Sequence, residues 1–295
     1  MKSQIIQSYD GDLSVSAQCK ILQISTSGYY SALKRPISKR ASDDQKLMKK
    51  VRFYFYRSGK AYGCKRIARD FRDDGIPCSK NRILRLMKQD GLKSTHTKTY
   101  RVMTTDSKHH MPVAKNHLNR EFIADKPNQK WAGDITYIPT AQGFVYLAVI
   151  LDLFSRKVVG FAIEDHMKTE LCSKAFKKTV HLRRVENNHE LLHHSDRGSQ
   201  YASDDYQFLI NKLNTTVSMS GKGNCWDNAV VEAFFKNLKT ERVYQKKYQN
   251  LNHAKEDITK YINNFYNNQR RHSTLDYVSP VEYENNYYNQ LKMAT

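Results

Sequence analysis

Nowhere does this 295-residue chain approach the 18 or more consecutive apolar residues of a membrane span, and its N-terminus has no apolar signal-peptide core. Cysteine is sparse and scattered. The five thiols (Cys19, Cys64, Cys78, Cys172, Cys225) form no CxxC pair, which excludes a disulfide framework and a structural zinc site. The expected location is therefore a reducing cytoplasm, with no membrane partner. Internal repeats and low-complexity tracts are absent too. Acidic residues are the other shortage: 29 Asp+Glu stand against 49 Lys+Arg, a formal net charge of +20. The imbalance is lopsided, since residues 1–125 hold 26 basic and 11 acidic side chains. A basic N-terminal half beside a nearly balanced remainder points to polyanion-binding modules joined to something else. With 39% hydrophobic residues the chain can bury a core, so wholesale disorder is excluded.

The basic half reads as helices. In "DLSVSAQCKILQISTSGYYSALK" (12–34), Ser14 caps a short helix through Leu22, and Ser25 or Thr26 caps a second one carrying Tyr29, Tyr30 and Leu33. Two short helices with a tight polar turn fit half of a helix-turn-helix, as they would any helical hairpin. After "KRPISKR" a second helical unit is expected from about Ser42. One helix in it runs to about Asp73, Gly75 and Pro77 turn the chain, and Ser79 caps a helix closed by Gly91. On that last helix Ile83, Leu84, Leu86 and Met87 are assigned to a core. Asn81, Arg85 and Lys88 recur at i, i+4, i+7 on the other side, with Arg82 and Gln89 beside them. Arg, Asn and Gln are the side chains that read base edges in a major groove, although a solvated amphipathic face would look the same.

Residues 92–125 are polar, basic and aperiodic, the pattern of a linker that tracks phosphates. From about 128 the pattern changes. "KWAGDITYIP", "FVYLAVILDL" and "KVVGFAIED" are strand-like runs. Helical periodicity over 167–183 follows, then the strand "ELLHHSD", a helix near 203–212 and the strand "TTVSMS". Three sequential strands and then alternating helix and strand predict a mixed sheet with helices on its faces. The tail reads as helical to about Asn268 and irregular beyond.

Three acids sit where acids are depleted. Asp134 lies in the otherwise apolar strand "WAGDITYI", Asp196 ends the strand "HHSDRGSQY", and Glu232 is set among Ala229, Val230, Val231, Ala233, Phe234 and Phe235. Singly, each reads as a turn cap or a local ion pair. Together they form an oxygen donor set suited to a hard cation, and two such ions can drive phosphoryl transfer. At 100° per residue Lys236 and Lys239 share the Glu232 stripe, Glu241 points nearly opposite, and Asp227 is placed as the helix cap. His194, two residues before Asp196, shares its strand face; it is a candidate to orient a phosphate or a water, or else a supporting histidine.

These residues carry a resemblance. Asp134, Asp196 and Glu232 resemble the Asp-Asp-Glu triad of the retroviral-integrase and transposase superfamily; 35 residues separate the last two, and Lys239 falls seven after the glutamate. "HSDRGSQY", "GNCWDNAVVEAFFKNLKTE", "LDLFSRKVVG" and "RRHSTLDYVSP" resemble the second-frame product, OrfB, of the insertion-sequence-three family of bacterial transposases. "SGYYSALKR" and "YGCKRIARDF" resemble its N-terminal helical modules. Asp276 departs from that family, which usually has Gly there, and leaves the local turn open.

The resemblance implies N-terminal all-α helix-turn-helix modules (1–38 and 39–95), a basic linker (96–125), an α/β ribonuclease-H-like core (126–245) with a mixed five-stranded sheet between helices, and a helical or irregular tail (246–295). It implies a transposase that cleaves insertion-sequence ends and transfers strands, through a circular intermediate. Two Mg²⁺ ions, replaceable by Mn²⁺, would be held by Asp134 (bridging), Asp196 and Glu232. Lys239, Lys236, His194, Asn81, Arg82, Arg85 and Lys88 would contact DNA. Implied partners are double-stranded DNA (terminal inverted repeats and target), further copies of the chain on that DNA and an upstream-frame OrfA product; the setting is the nucleoid. A silent DNA-binding regulator and a purely hydrolytic nuclease are the competing readings.

Overall fold

The structure is a computed structural model that describes residues 2–95, 111–185, 190–222 and 224–294. It divides into two compact units, Met1–Phe53 and Tyr54–Thr295. In the first, α1 (Lys2–Ser8), which sequence reading missed, joins α2 (Val15–Ile21) and α3 (Thr26–Lys34) around Ile6, Cys19 and Tyr29. Ser14 accepts from Ala17 N–H and Ser25 from Gly28 N–H, so both expected caps form. The next helix, α4 (Lys39–Arg57), begins earlier than Ser42, because Ser38 accepts from Ala41 N–H.

The second unit holds α5 (Cys64–Asp73) and α6 (Lys80–Gln89), joined through Gly75 at φ +68°. Ser79 caps α6 through Arg82 N–H, and Gly91 closes it at φ +65°. Ile67, Phe71, Ile83, Leu86 and Met87 are buried. Leu84 is exposed, which corrects its assignment to the core: at 100° per residue it falls on the outer stripe with Asn81 and Lys88. Of the proposed basic linker, 96–110 lies outside the described residues. The following stretch is no free tether. Leu118 is buried in the core, Ser218 Oγ accepts from the amides of His117 and Leu118, and Met219 N–H reaches Lys115 O.

The core is a five-stranded mixed sheet in the order β3-β2-β1-β4-β5. β1 (Lys130–Thr140), β2 (Gly143–Asp152) and β3 (Val158–Glu164) form an antiparallel meander; β4 (Leu192–Ser195) and β5 (Thr216–Met219) add in parallel. A crossover helix, α7 (Thr169–Arg183), connects β3 to β4, and the short α8 (Ser199–Ala202) and α9 (Asp204–Asn211) lead to β5. β1 alternates between two layers. Trp131 and Ile135 meet Leu171, Phe176 and Tyr206 from α7 and α9. Ala132 and Ile138 meet the layer of α10 (Ala229–Glu241) and α11 (Leu251–Lys260).

The tail is part of that second layer. Ala254, Ile258, Ile262 and Tyr266, spaced by four, lie in one core cluster with Val231, Phe234 and Leu238 of α10. The irregular end expected after Asn268 is also corrected, since α12 (Pro280–Ala294) forms there. It is anchored by Glu284, which pairs with Arg183 and Lys157 while Arg183 also reaches Asp152. Asp276 adopts φ +50°, a left-handed turn that glycine enters without a Cβ penalty.

Between these helices, "RRH" ties α5 to α10. Arg270, 2% exposed, grips both Glu241 oxygens, with Nε–Oε2 at 2.8 Å and a terminal nitrogen to Oε1 at 2.7 Å. Arg271 binds Asp70 and Asp73 of α5 at 2.8 and 2.6 Å, and its amide donates to Tyr62 Oη. Glu241 does point away from Glu232, but into a buried ion pair. Breaking such a pair leaves an uncompensated charge, so Arg270→Ala should cost about 3–5 kcal/mol in denaturant unfolding. The double variant Arg270→Leu/Glu241→Leu should recover much of that loss; equal losses in both would show that the stranded Glu241 charge is not what costs the stability.

Candidate active site

Two facts of register create the site. β1 and β4 run parallel, and their last paired residues are Ala132 and His194. Asp134 and Asp196 each lie two residues further along, Asp134 within β1 and Asp196 just past β4, so both present a carboxylate to the same side of the sheet. That side is the one covered by α10. Asn228, just before α10, donates to Gly133 O at 3.2 Å and ties the helix start to the residue preceding Asp134. Val231, Phe234, Phe235 and Leu238 then press α10 onto the core and leave Glu232 exposed on its outer edge. Val231, Phe234 and Phe235, apolar neighbours of Glu232 in sequence, thus belong to the buried face, while Ala233 and the Glu232 carboxylate lie on the open one.

The electrostatics of the three acids differ. Asp134 Oδ1 accepts from Ile135 N–H at 2.7 Å. Burial drives its pKa well above the ordinary carboxylate value, and the charge of Asp196 and, more weakly, of Glu232 adds to the rise. Asp196 Oδ1 accepts from Gly198 N–H at 2.9 Å, which shapes the turn after β4. Desolvation raises Glu232. Lys239 sits with Nζ 4.2 Å from the centroid of the Tyr137 ring; burial lowers its pKa, and the field of Asp134 offsets part of this. Lys236, on the same stripe, is exposed.

The charge of Asp196 acts on Asp134 more strongly than that of Glu232 does. Among the described residues no group of three His, Cys, Asp or Glu side chains is drawn tightly enough to hold a metal ion. The donor chemistry nevertheless fits a hard divalent cation. It is all carboxylate oxygen, and Asp134 carries a like-charge conflict that, among the described residues, no Lys or Arg neutralises by direct contact.

His194 corrects its assignment as a DNA contact. It is 0% exposed, with Nδ1 2.8 Å from Ser218 Oγ and Nε2 3.2 Å from Ser220 Oγ. Ser218 Oγ already accepts two amide protons, so its own hydrogen must go to Nδ1 and Nε2–H donates to Ser220. Burial keeps the ring neutral, with its pKa pushed down to about 4. The histidine clamps the ends of β4 and β5. His193 faces the opposite layer, against Tyr206 Oη at 2.9 Å.

Asp227 is likewise no helix cap. Buried in a 3₁₀ turn (Cys225–Asn228), it accepts from Asn116 Nδ2, Arg120 Nε and Gly221 N–H at 3.0, 2.7 and 2.8 Å. Burial alone would raise its pKa, but these donors hold it below the usual range. Sequence reading missed Asn116, Arg120, Ser218 and Asn228; only the polar pair before an apolar helix hinted at Asn228. Asn81 and Lys88 are exposed on α6, with Arg82 and Arg85 half-buried beside them.

A folded-state pKa above the unfolded one means that the folded protein holds an extra proton in the window between them. Stability therefore falls as pH rises through that window. In metal-free protein at neutral pH, Asp134→Asn should raise the melting temperature by about 2–4 °C per kcal/mol of repulsion removed. The gain should vanish below the ordinary carboxylate range, where the wild-type side chain is protonated in both states. Melting curves across pH check this, and an unchanged or lower midpoint for the variant at neutral pH would contradict the electrostatic account.

Comparison with known proteins gives the family. Family models described as "Integrase core domain" match residues 124–225 and 213–280, and an "HTH-like domain" matches 42–100. The chain is 35% identical over 287 residues to transposase InsF of insertion sequence IS3A from Escherichia coli strain K12, covering 97% of this chain and 99% of that one. It is 37% identical over 270 residues to an uncharacterized 31 kDa protein of insertion element IS600 from Shigella sonnei, covering 92% and 98%. A solved HTLV-2 integrase catalytic core in complex with magnesium aligns with a TM-score of 0.41 and 17% identity, over 54% of this chain and 97% of that one. With coverage of nearly the full length of such relatives, the chain belongs to the insertion-sequence-three family of transposases.

Proposed function

We propose that the chain is a DNA transposase that cuts the ends of its insertion element and joins the freed 3′-hydroxyl to another phosphodiester, with Asp134, Asp196 and Glu232 as the catalytic carboxylates. The observation that carries this reading is the β1–β4 register, which sets two carboxylates side by side beneath a helix bearing the third. Asp134, Asp196 and Glu232 would together hold two Mg²⁺ ions, or Mn²⁺ in their place. When bound, these ions would supply Lewis-acid activation of the attacking oxygen and stabilisation of the leaving one.

The remaining work falls to the chain itself. Lys239, held over Tyr137 next to Asp134, offers its ammonium to a backbone phosphate, and Lys236 extends that contact along α10. Neutral His194 keeps the β4 and β5 ends in register under Asp196. On α6, Asn81, Arg82, Arg85 and Lys88 read or steady the element end, with duplex binding weakened by salt as phosphates shed counterions. We assign residues 1–38 and 39–95 to the DNA-binding helices, 96–125 to the basic connection, 126–245 to the catalytic core and 246–295 to the tail. The chain would act as a homo-oligomer on DNA, with or without an upstream-frame OrfA product, in the nucleoid. Among the described residues no helix is long and apolar enough to cross a membrane.

Asp134→Asn, Asp196→Asn and Glu232→Gln should each abolish cleavage and joining of end-containing DNA in Mg²⁺ while leaving duplex binding intact. Substantial joining by any one of them would break the triad, and cleavage without joined products in the wild type would reveal a nuclease. Lys239→Ala should weaken joining and lower the slope of log affinity against log salt by about one phosphate contact. Lys260→Ala, paired with Glu256 on α11, is the control. Equal effects of the two lysine variants would remove Lys239 from the site.

A further inference from the structure

The two tryptophans of the chain are placed oppositely. Trp131 is fully buried in the sheet, at 0% exposure, whereas Trp226 is 68% exposed. Single exposed aromatics are ordinary, and Phe144 and Phe208 are two others here. What sets Trp226 apart is that the turn carrying it is fastened on both sides. Asp227, the next residue, is buried and accepts from Asn116, Arg120 and Gly221. Asn228, also buried, donates to the carbonyl of Gly133. An indole so mounted has already lost its backbone freedom, which lowers the entropic cost of receiving a partner.

The fastenings also locate it. Gly133 immediately precedes Asp134. Gly221 follows Ser220, whose amide donates to Ser195 O and whose carbonyl accepts from Arg197 Nε at 2.6 Å, and these residues flank Asp196. The turn thus lies against the residue that precedes Asp134 within β1 and is linked through Ser220 to the end of β4 that precedes Asp196. Trp226 is two residues from Asn228, within about 7 Å along an extended chain. Lys222, exposed four residues earlier, brings a cation to the same turn, while Arg120 is paired with Asp227. A planar, electron-rich face beside a cation and next to a phosphodiester-cleaving centre matches one kind of occupant, a nucleobase freed from its stack.

We infer that Trp226 is a stacking platform for an unpaired base of the DNA end, holding the terminal pair open so that the adjoining phosphate reaches the carboxylates. The inference rests on the proposed transposase chemistry for its purpose, but stacking itself needs no catalysis. No covalent step is involved; Trp226 is a positioning residue for the scissile strand.

The chain supplies its own reporter, because Trp131 is shielded. In the catalytically disabled Asp134→Asn protein without metal, adding an element-end duplex with two unpaired terminal bases should quench Trp226 emission. The fully paired duplex should quench it less, and Trp226→Ala should abolish the response. In active protein, Trp226→Ala should slow cleavage of fully paired ends by about 10- to 100-fold. Trp226→Phe should restore most of the rate, and ends already unpaired should bypass much of the defect. Quenching equal for paired and unpaired ends, or an alanine variant that cleaves paired ends normally, would overturn the inference. So would emission that changes with protein concentration but not with DNA, which would assign Trp226 to contact between copies. Quenching that follows the unpaired base, beside a wild-type chain that joins no ends in Mg²⁺, would leave the platform standing and refute only the proposed reaction.

Discussion

Parallel pairing of β1 with β4 is the constraint on which the rest depends. Because Ala132 pairs with His194, two aspartates two residues further on must stand side by side in a poorly solvated corner of the sheet. A slip of one residue in either strand would turn one carboxylate into the opposite layer, among Phe176 and Tyr206. Much of the polar architecture around the site prevents that slip. His194 is locked between Ser218 and Ser220, Ser218 also holds the amides of His117 and Leu118, and Asn228 fixes the start of α10 against Gly133.

The other buried acids show how unusual Asp134 is. Asp70 is met by Arg271, Asp152 by Arg183, Glu241 by Arg270, Asp257 by Arg242 and Lys246, and Glu284 by Arg183 and Lys157. Each is a buried carboxylate answered by a cation in contact, the usual requirement for taking charge out of water. Asp134 has one backbone amide and the more distant field of Lys239, against the charges of two acids. A fold that answers six other acids with a cation, Asp227 with Arg120 among them, and leaves this one in conflict supports the proposal that a cation arrives from outside. The same arms fasten the periphery: Arg270 and Arg271, adjacent in sequence, join the end of α10 to α5.

Much of this was legible in the chain. Caps at Ser14, Ser25 and Ser79 depend on neighbours three residues away, and strand alternation in β1 to β3 depends on its own period; both are local signals. The three acids stood out because apolar runs make a lone carboxylate conspicuous. What could not be read depends on pairs distant in sequence. His194 shares a strand face with Asp196, as expected, yet that position is occupied by Ser218 and Ser220, more than twenty residues on. Asp227 resembled a cap because its true donors, Asn116 and Arg120, lie more than a hundred residues earlier. The helix to about Asn268 was legible from its four-residue spacing, whereas α12 was missed because Glu284 anchors it to Arg183 and Lys157, far away in sequence. Leu84 shows the finer limit: an apolar residue on the polar stripe follows the stripe.

The most direct test of the central claim is anomalous diffraction from Mn²⁺-soaked crystals of the protein bound to an element end. The account predicts one Mn²⁺ peak between the Asp134 and Asp196 carboxylates and a second shared by Asp134 and Glu232. Strong peaks elsewhere, with none at Asp134, would show that the like-charge corner of the sheet is not a metal site, and the account would fall with it.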